Sequence, residues 1–191
     1  LLGALPNCII IEPCNGMETK LALEWCVDDS KENCMIRLAI SPSPRNIQLP
    51  DNYRLTLGNG TVLYEGNDAI LFAYGPVMLN EALSAAKFLE EKNFHLKVVN
   101  MPWLTRVDKS WLEEIVGNCK KIYVLDNHSS YGGLGDAVLN TIILSDRLKN
   151  RPFKKIAIEE YPACGTPQES LRYHRLDGVS LAERIRGGVI L

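Results

Sequence analysis

The chain has 191 residues, 46% of them hydrophobic and 23% charged, and 21 basic against 23 acidic side chains leave a net charge of −2. That is enough apolar material for a substantial core, and nothing in the charge balance points to a nucleic-acid surface or a charged disordered tail. No apolar run approaches the roughly 18 residues of a membrane span, and no secretory-signal pattern is present; the composition predicts a soluble, cytoplasmic protein.

The chain opens Leu1-Leu2-Gly3 and enters an apolar run almost at once, which predicts a fragment of a longer polypeptide. Residues 7–12 (NCIIIE) form a short β-branched run expected to be a buried strand. Asn15 with Glu18 three residues on resembles a capping box, and Leu21, Leu23, Trp25 and Cys26 supply the apolar side of the helix that follows. A second strand is expected over 34–40. Pro42, Pro44 and Pro50 then rule out a helix or central strand, so a linker and domain boundary are placed there. Alternation over 53–57 and 61–65 around Gly58-Asn59-Gly60 predicts a hairpin.

From Asp68 onward strands alternate with helices. A strand over 68–74 leads to Gly75-Pro76, which opens a helix running to about Lys92. A strand over 95–100 precedes a short helix capped by Asp108 and ended by Gly117. Ile122–Leu125 is the next strand, expected to yield to a polar turn at Asp126, Asn127 and His128, then the glycines Gly132, Gly133 and Gly135, then a helix. A strand over 154–159 follows. Thr166-Pro167-Gln168-Glu169 is a helix start, and Ser180 with Glu183 is expected to cap a last helix. This alternation predicts a three-layer α/β/α fold around a mostly parallel sheet.

Cysteines at 8, 14, 26, 34, 119 and 164 form no CxxC pair, and His95, His128 and His174 are scattered, so zinc-ligand spacing is absent and reduced, structural thiols are expected. Trp103 and Trp111 fit core packing better than an interface.

The wording of the segment KKIYVLDNHSSYGGLGDAVLNTIILSDRL, from Lys120 to Leu148, resembles the glycine loop in the C-terminal domain of transketolase-type, thiamine-diphosphate-dependent enzymes. Leu5-Pro6-Asn7 followed by Glu12-Pro13 and Glu18 is similar to the end of that family's pyrimidine-binding domain. Asp68–Asn80, Val98–Asp108 with Pro102, Gly165-Thr166-Pro167 with Leu171, and Leu176-Asp177-Gly178 with Ile185 resemble successive parts of its C-terminal domain. The resemblance implies that 1–41 is the tail of a pyrimidine-binding domain, 42–52 a linker, and 53–191 a C-terminal domain with a five-stranded, mostly parallel sheet and one antiparallel edge strand.

It further implies an intact enzyme that moves a two-carbon ketol unit between sugars with thiamine diphosphate and magnesium. The alternatives are the beta subunit of a 2-oxoacid dehydrogenase, its C-terminal domain docking a partner, and a deoxyxylulose-phosphate synthase. The cofactor motifs of the family are not found: Gly135-Asp136-Ala137 is the only Gly-Asp pair and reads as a helix start, and Glu12 reads as a surface or capping acid. No catalytic, cofactor-binding or metal residue is therefore assigned, and the fragment alone is expected to be inactive and to serve assembly and packing. Its expected partners are a second copy in a homodimer and the upstream cofactor-binding domains, fused or on a separate subunit. His128, at a strand's carboxyl end, is a ligand or proton-carrying candidate, set against simple packing in its turn. Arg37 is a basic candidate near the junction, as is Arg45 if an insertion is allowed; an ungapped alignment puts Ile40 where sugar-phosphate-using relatives carry an arginine. Gly132, Gly133 and Gly135 fit close helix–sheet packing better than anion binding.

Overall fold

The computed structural model describes residues 3, 5–40 and 43–187. The expectations placed on Leu1-Leu2, on the Ser41-Pro42 end of the linker and on 188–191 lie outside the described residues.

A β-α-β unit comes first: β1 (Cys8–Ile11), α1 (Gly16–Asp28) and β2 (Asn33–Ile36). The two strands pair in parallel, from Cys8 opposite Asn33 to Ile11 opposite Ile36. Asn15 caps α1 by accepting from Glu18 N at 2.8 Å, but the Glu18 carboxylate turns to Cys14 N at 2.7 Å rather than completing the box. β2 stops at Ile36, short of the expected 40, because its partner stops at Ile11; beyond it Glu12 N donates to Pro102 O at 2.9 Å. Leu38 and Ile40 are left exposed.

The second sheet holds β3 (Thr61–Tyr64), β4 (Ala69–Ala73), β5 (Leu96–Asn100), β6 (Lys121–Ser129) and β7 (Phe153–Ile158), interleaved with α2 (Gly75–Glu90), α3 (Lys109–Val116), α4 (Leu134–Ile143), α5 (Pro167–Tyr173) and α6 (Gly178–Arg186). Its order is β3-β5-β4-β6-β7, parallel except for β3, which runs antiparallel to β5 at the edge. β4 (AILFA) shows no polar alternation because both of its faces are covered. Ile70 and Phe72 pack with Trp103, Leu112 and Val138, while Ala69, Leu71 and Ala73 pack with α2 and α6 residues such as Leu79, Ala82 and Leu181. Complete burial of side chains such as Leu71 and Phe72 contributes ~1.5–3 kcal/mol each.

Three local expectations fail for identifiable reasons. Residues 53–57 are not a strand and no hairpin forms: β3 takes the open edge of β5 instead. Gly58 is needed there because its φ is +76° and a Cβ would lie 2.7 Å from Asp108 N. β6 does not end at Leu125 but continues through Asp126, Asn127 and His128 to Ser129, which sits opposite Ile158. The cap of α6 is Asp177, accepting from Ser180 N at 3.2 Å, rather than Ser180. That start lets Gly178 press against Ser84, where a Cβ would come within 2.7 Å. The Asp108 cap, the Gly117 end of α3 and the Thr166–Glu169 capping box form as expected.

The N-terminal unit shares a core with the larger sheet. Leu104 N donates to Ile10 O at 2.8 Å, and Trp25 meets the fully buried Trp103 edge-on at 4.8 Å between centroids. Trp111 is half-buried against Phe72. All six cysteines are free thiols, with Cys8, Cys14 and Cys119 buried.

Candidate functional site

The chain leaves β4 toward β5 on one side and crosses to β6 on the other, so the carboxyl ends of β4 and β6 flank the switch point where open α/β sheets place ligands. Here the crevice is filled by the chain's own polar groups. Tyr74 follows β4, Asp126 and Asn127 lie near the carboxyl end of β6, before His128 and Ser129, and the N-terminal unit adds Glu12 after β1 and Arg37 after β2.

Asp126 is 1% exposed. Its carboxylate accepts from Leu134 N and Gly135 N at 3.0 Å each and from Tyr74 OH at 2.9 Å, so it caps α4 from the neighbouring strand. Gly133, the formal cap, has no side chain to do so. Burial pushes the Asp126 carboxyl above its ordinary value, against the pull of His128, Tyr74 and the two backbone N–H groups. The glycine loop follows from this geometry: a Cβ on Gly133 would lie 2.5 Å from Asp126 Oδ1, and one on Gly135 2.8 Å from Asp126 Oδ2. Gly132, with φ +75°, supplies the turn, and its N–H donates to Asp136 Oδ2 at 2.6 Å. Asp136 lies in the first turn of α4 as expected, paired with Lys155 at 2.8 Å.

Glu12, expected to be a surface or capping acid, is only 3% exposed. It is buried because Asn127 Nδ2 reaches Oε1 at 3.1 Å and Arg37 Nε lies 3.2 Å from Oε2. Oε2 accepts no directed hydrogen bond, so the Arg37 contact is mainly a charge pairing. Arg37 also donates from Nη2 to Asn127 Oδ1 at 2.7 Å. Burial raises the Glu12 carboxyl and Arg37 pulls it back; Tyr74 is raised by burial and by Asp126.

His128 and Arg37 come together, which no local pattern announced. Both line a cavity of about 460 Å³ floored by Ile10, Met35 and Leu104 and closed by Gly132 and Gly133. His128 Nδ1 lies 2.7 Å from Ser129 O, and Nε2 lies 4.0 Å from Asp126 Oδ1. Arg45 and Ile40 do not line this cavity, and Ile40 is fully exposed. A second buried cluster also escaped the sequence: Glu18 accepts from Tyr53 OH and from Asn100 Nδ2, the latter at 2.8 Å.

Among the described residues no group of three His, Cys, Asp or Glu side chains could hold a metal ion. The two carboxylates at the switch point are taken up by the chain's own groups, Glu12 by Asn127 and Arg37 and Asp126 by Tyr74, Leu134 N and Gly135 N. This donor set does not fit a magnesium–diphosphate group.

The family profile for the transketolase C-terminal domain matches residues 58–180. The chain is 29% identical over 187 residues to a transketolase C-terminal section of Methanocaldococcus jannaschii, covering 97% of this chain and 57% of that protein. It is 27% identical over 186 residues to a 1-deoxy-D-xylulose-5-phosphate synthase of Chlorobium luteolum, covering 97% of this chain and 29% of the relative. Human transketolase is 25% identical over 190 residues, with 98% and 29% covered. Among solved structures, a split-gene transketolase described as an inactive beta4 tetramer superposes with a TM-score of 0.85 at 29% identity, over 98% of this chain and 60% of that one. A Pichia stipitis transketolase variant shares the fold at a TM-score of 0.73 and 18% identity, over 97% and 26%. The chain thus spans somewhat over half of the first relative and under a third of the longer ones. With about two thirds of its length matched in order, the chain belongs to the transketolase C-terminal domain family.

Proposed function

We propose that this chain is the C-terminal section of a transketolase-type, thiamine-diphosphate-dependent enzyme and completes the fold of that enzyme without holding its cofactor. The observation that carries this is the open edge of β2. Parallel sheets are stable when both faces are covered and their edges continued, yet β1 and β2 form a parallel pair on their own. Among the described residues β2 pairs only with β1. The apolar side chains Leu23 and Val27 of α1, and Leu38 and Ile40 beyond β2, face solvent. Such a unit is the end of a larger sheet, and the upstream part of a pyrimidine-binding domain supplies the missing strands. On this reading 1–41 is that domain's tail, 42–52 a linker and 53–191 the C-terminal domain.

The intact enzyme transfers a two-carbon ketol unit between sugars, with thiamine diphosphate and magnesium held upstream, and assembles in the cytoplasm as a homodimer. Arg37 and His128 are the side chains of this section proposed to meet a ligand of the assembled enzyme, across the cavity they share; Gly132, Gly133 and Gly135 serve packing. Hydrogen exchange tests the assembly. Adding the polypeptide with the upstream domains should slow exchange at Asn33–Ile36 and in α1; unchanged exchange there despite complex formation would refute the proposed edge. Light scattering showing only monomer at tens of micromolar would remove the homodimer.

A second reading draws on the relatives that are 1-deoxy-D-xylulose-5-phosphate synthases. Product analysis of the complete enzyme separates the two: formation of 1-deoxy-D-xylulose 5-phosphate and no ketol transfer would select the second.

A further inference from the structure

We propose that Cys26 and Cys34 form a redox-modification site, in which an oxidant of the low-molecular-weight disulfide class converts two neighbouring thiols into a reversible disulfide joining α1 to β2. This goes beyond the proposed enzyme role and does not depend on it.

The two thiols come from different elements and meet. Cys26 lies in the last turn of α1 and Cys34 is the second residue of β2. Cys34 stands opposite Ile9 in the parallel pair. Alternation along β2 sends its side chain away from Met35, which floors the Arg37–His128 cavity, and so toward α1. There it reaches Cys26: burial, then the hydrogen bond and charge of the Cys34 thiol, push the Cys26 thiol up to about 12. Thiols in such contact need side-chain rotation and little backbone movement to bond. The other four cysteines are placed apart, with Cys8 in β1, Cys14 before α1, Cys119 before β6 and Cys164 before α5.

The connector between the two elements is locked, which keeps the sulfurs opposite each other. Ser30 N donates to Trp25 O at 3.0 Å. Ser30 Oγ donates to Glu32 O at 3.0 Å, accepts from Glu32 N at 3.1 Å and accepts from Cys34 Sγ at 3.2 Å. Arg106 ties Glu32 to the larger domain. Both cysteines are only half-buried, so a small oxidant can reach them, unlike the buried Cys8, Cys14 and Cys119. Disulfides that form in a reducing compartment are transient and redox-sensing, and a pair held ready but unbonded fits that use.

The chemistry is two thiol–disulfide exchanges. With Cys26 held as a thiol, the first attack falls to Cys34: its thiolate attacks one sulfur of oxidised glutathione, forms a mixed disulfide and expels a glutathione thiolate. That step removes the thiol whose hydrogen bond and charge help hold the Cys26 proton. Cys26 then gives its proton to solvent, attacks the Cys34 sulfur and expels the second glutathione thiolate. Two protein thiols lose two electrons and two protons, and one oxidised glutathione becomes two molecules of the reduced thiol.

The test incubates the native chain with oxidised glutathione, blocks remaining thiols with iodoacetamide, and reads the cysteine peptides by mass spectrometry. A Cys26–Cys34 linked product, lighter by two hydrogens and reversed by dithiothreitol, should form, while the exposed Cys164 takes up glutathione as a mixed disulfide. In Cys26→Ser the second exchange is blocked, so glutathione on Cys34 should be at least about tenfold more abundant than in the parent. The parent measurement decides the matter if that variant fails to fold. Cys26 and Cys34 both alkylated once Cys164 is fully modified, a lasting glutathione adduct on Cys34 of the parent, or links from either residue to Cys8, Cys14 or a second chain would overturn the proposal.

Discussion

Arg37→Met should destabilise the chain more than the double variant Glu12→Gln/Arg37→Met. Glu12 is almost fully buried, and its Oε2 has only the Arg37 charge beside it. Removing the guanidinium strands a carboxylate that keeps a single neutral hydrogen bond, from Asn127. Breaking a fully buried pair costs about 3–5 kcal/mol. The Arg37 side chain is 37% exposed, so water can replace part of its effect and the expected loss is about 2–3 kcal/mol at neutral pH. Adding Glu12→Gln removes the stranded charge and should return about 1–2 kcal/mol. The pH dependence has a definite sign. The folded-state carboxyl sits above its ordinary 4.5 because of burial, and loss of Arg37 raises it further. The folded state then binds more protons than the unfolded one, so the single variant loses stability as pH rises from 4.5 through the raised value. The double variant lacks this decline. Urea denaturation of all four proteins at acidic and neutral pH closes the cycle. Arg37→Met within about 0.5 kcal/mol of the parent at neutral pH, or a double variant no more stable than the single, would show that Arg37 does not offset the buried Glu12 charge.

Asp126→Ala leaves two α4 N–H groups without an acceptor and the Tyr74 hydroxyl with only Asn127 Oδ1, at 3.4 Å, and should cost about 3–4 kcal/mol in denaturant melts, whereas Asp126→Asn should cost about 1–2 kcal/mol; a smaller loss for Ala than for Asn would contradict the capping role. Gly75→Ala should cost about 2–4 kcal/mol by thermal or urea unfolding, because Gly75 has φ +66° and a Cβ would lie 2.2 Å from Glu12 Oε1. Asp136 is the opposite case from Asp126: burial opposes ionisation, but Lys155 and the Gly132 N–H outweigh it and hold the carboxyl below its ordinary 3.8. Its stabilisation is complete above 3.8 and disappears as pH falls through the folded-state value. Lys155→Met should therefore flatten the acid limb of a stability–pH profile, and an unchanged limb would exclude the pairing.

Much of the larger sheet was legible because its signals are local. The apolar run Ala69–Ala73, the Asp108 cap and the Thr166-Pro167-Gln168-Glu169 start each depend on neighbours within a few residues, and each formed. Gly58-Asn59-Gly60 misled because glycine there answers a close approach by Asp108, distant in sequence, rather than a hairpin turn. Asp126 and Asn127 read as a turn because they are polar, yet they extend a strand once Tyr74 and the start of α4 satisfy them. Glu12 read as a surface or capping acid, because Asn127 and Arg37, which allow its burial, lie in other elements. The same distance hid the shared cavity of Arg37 and His128, although each was singled out on its own.

The proposed role is completion of a cofactor-dependent enzyme without binding of its cofactor. Titration calorimetry of thiamine diphosphate with magnesium tests it most directly, first on this chain alone and then with the upstream domains fused ahead of it or supplied as a separate chain. No heat of binding is expected for the chain alone, and saturable binding for the complete enzyme. Saturable binding to the chain alone would contradict it and would move the cofactor to the crevice of Asp126, His128 and the glycine loop.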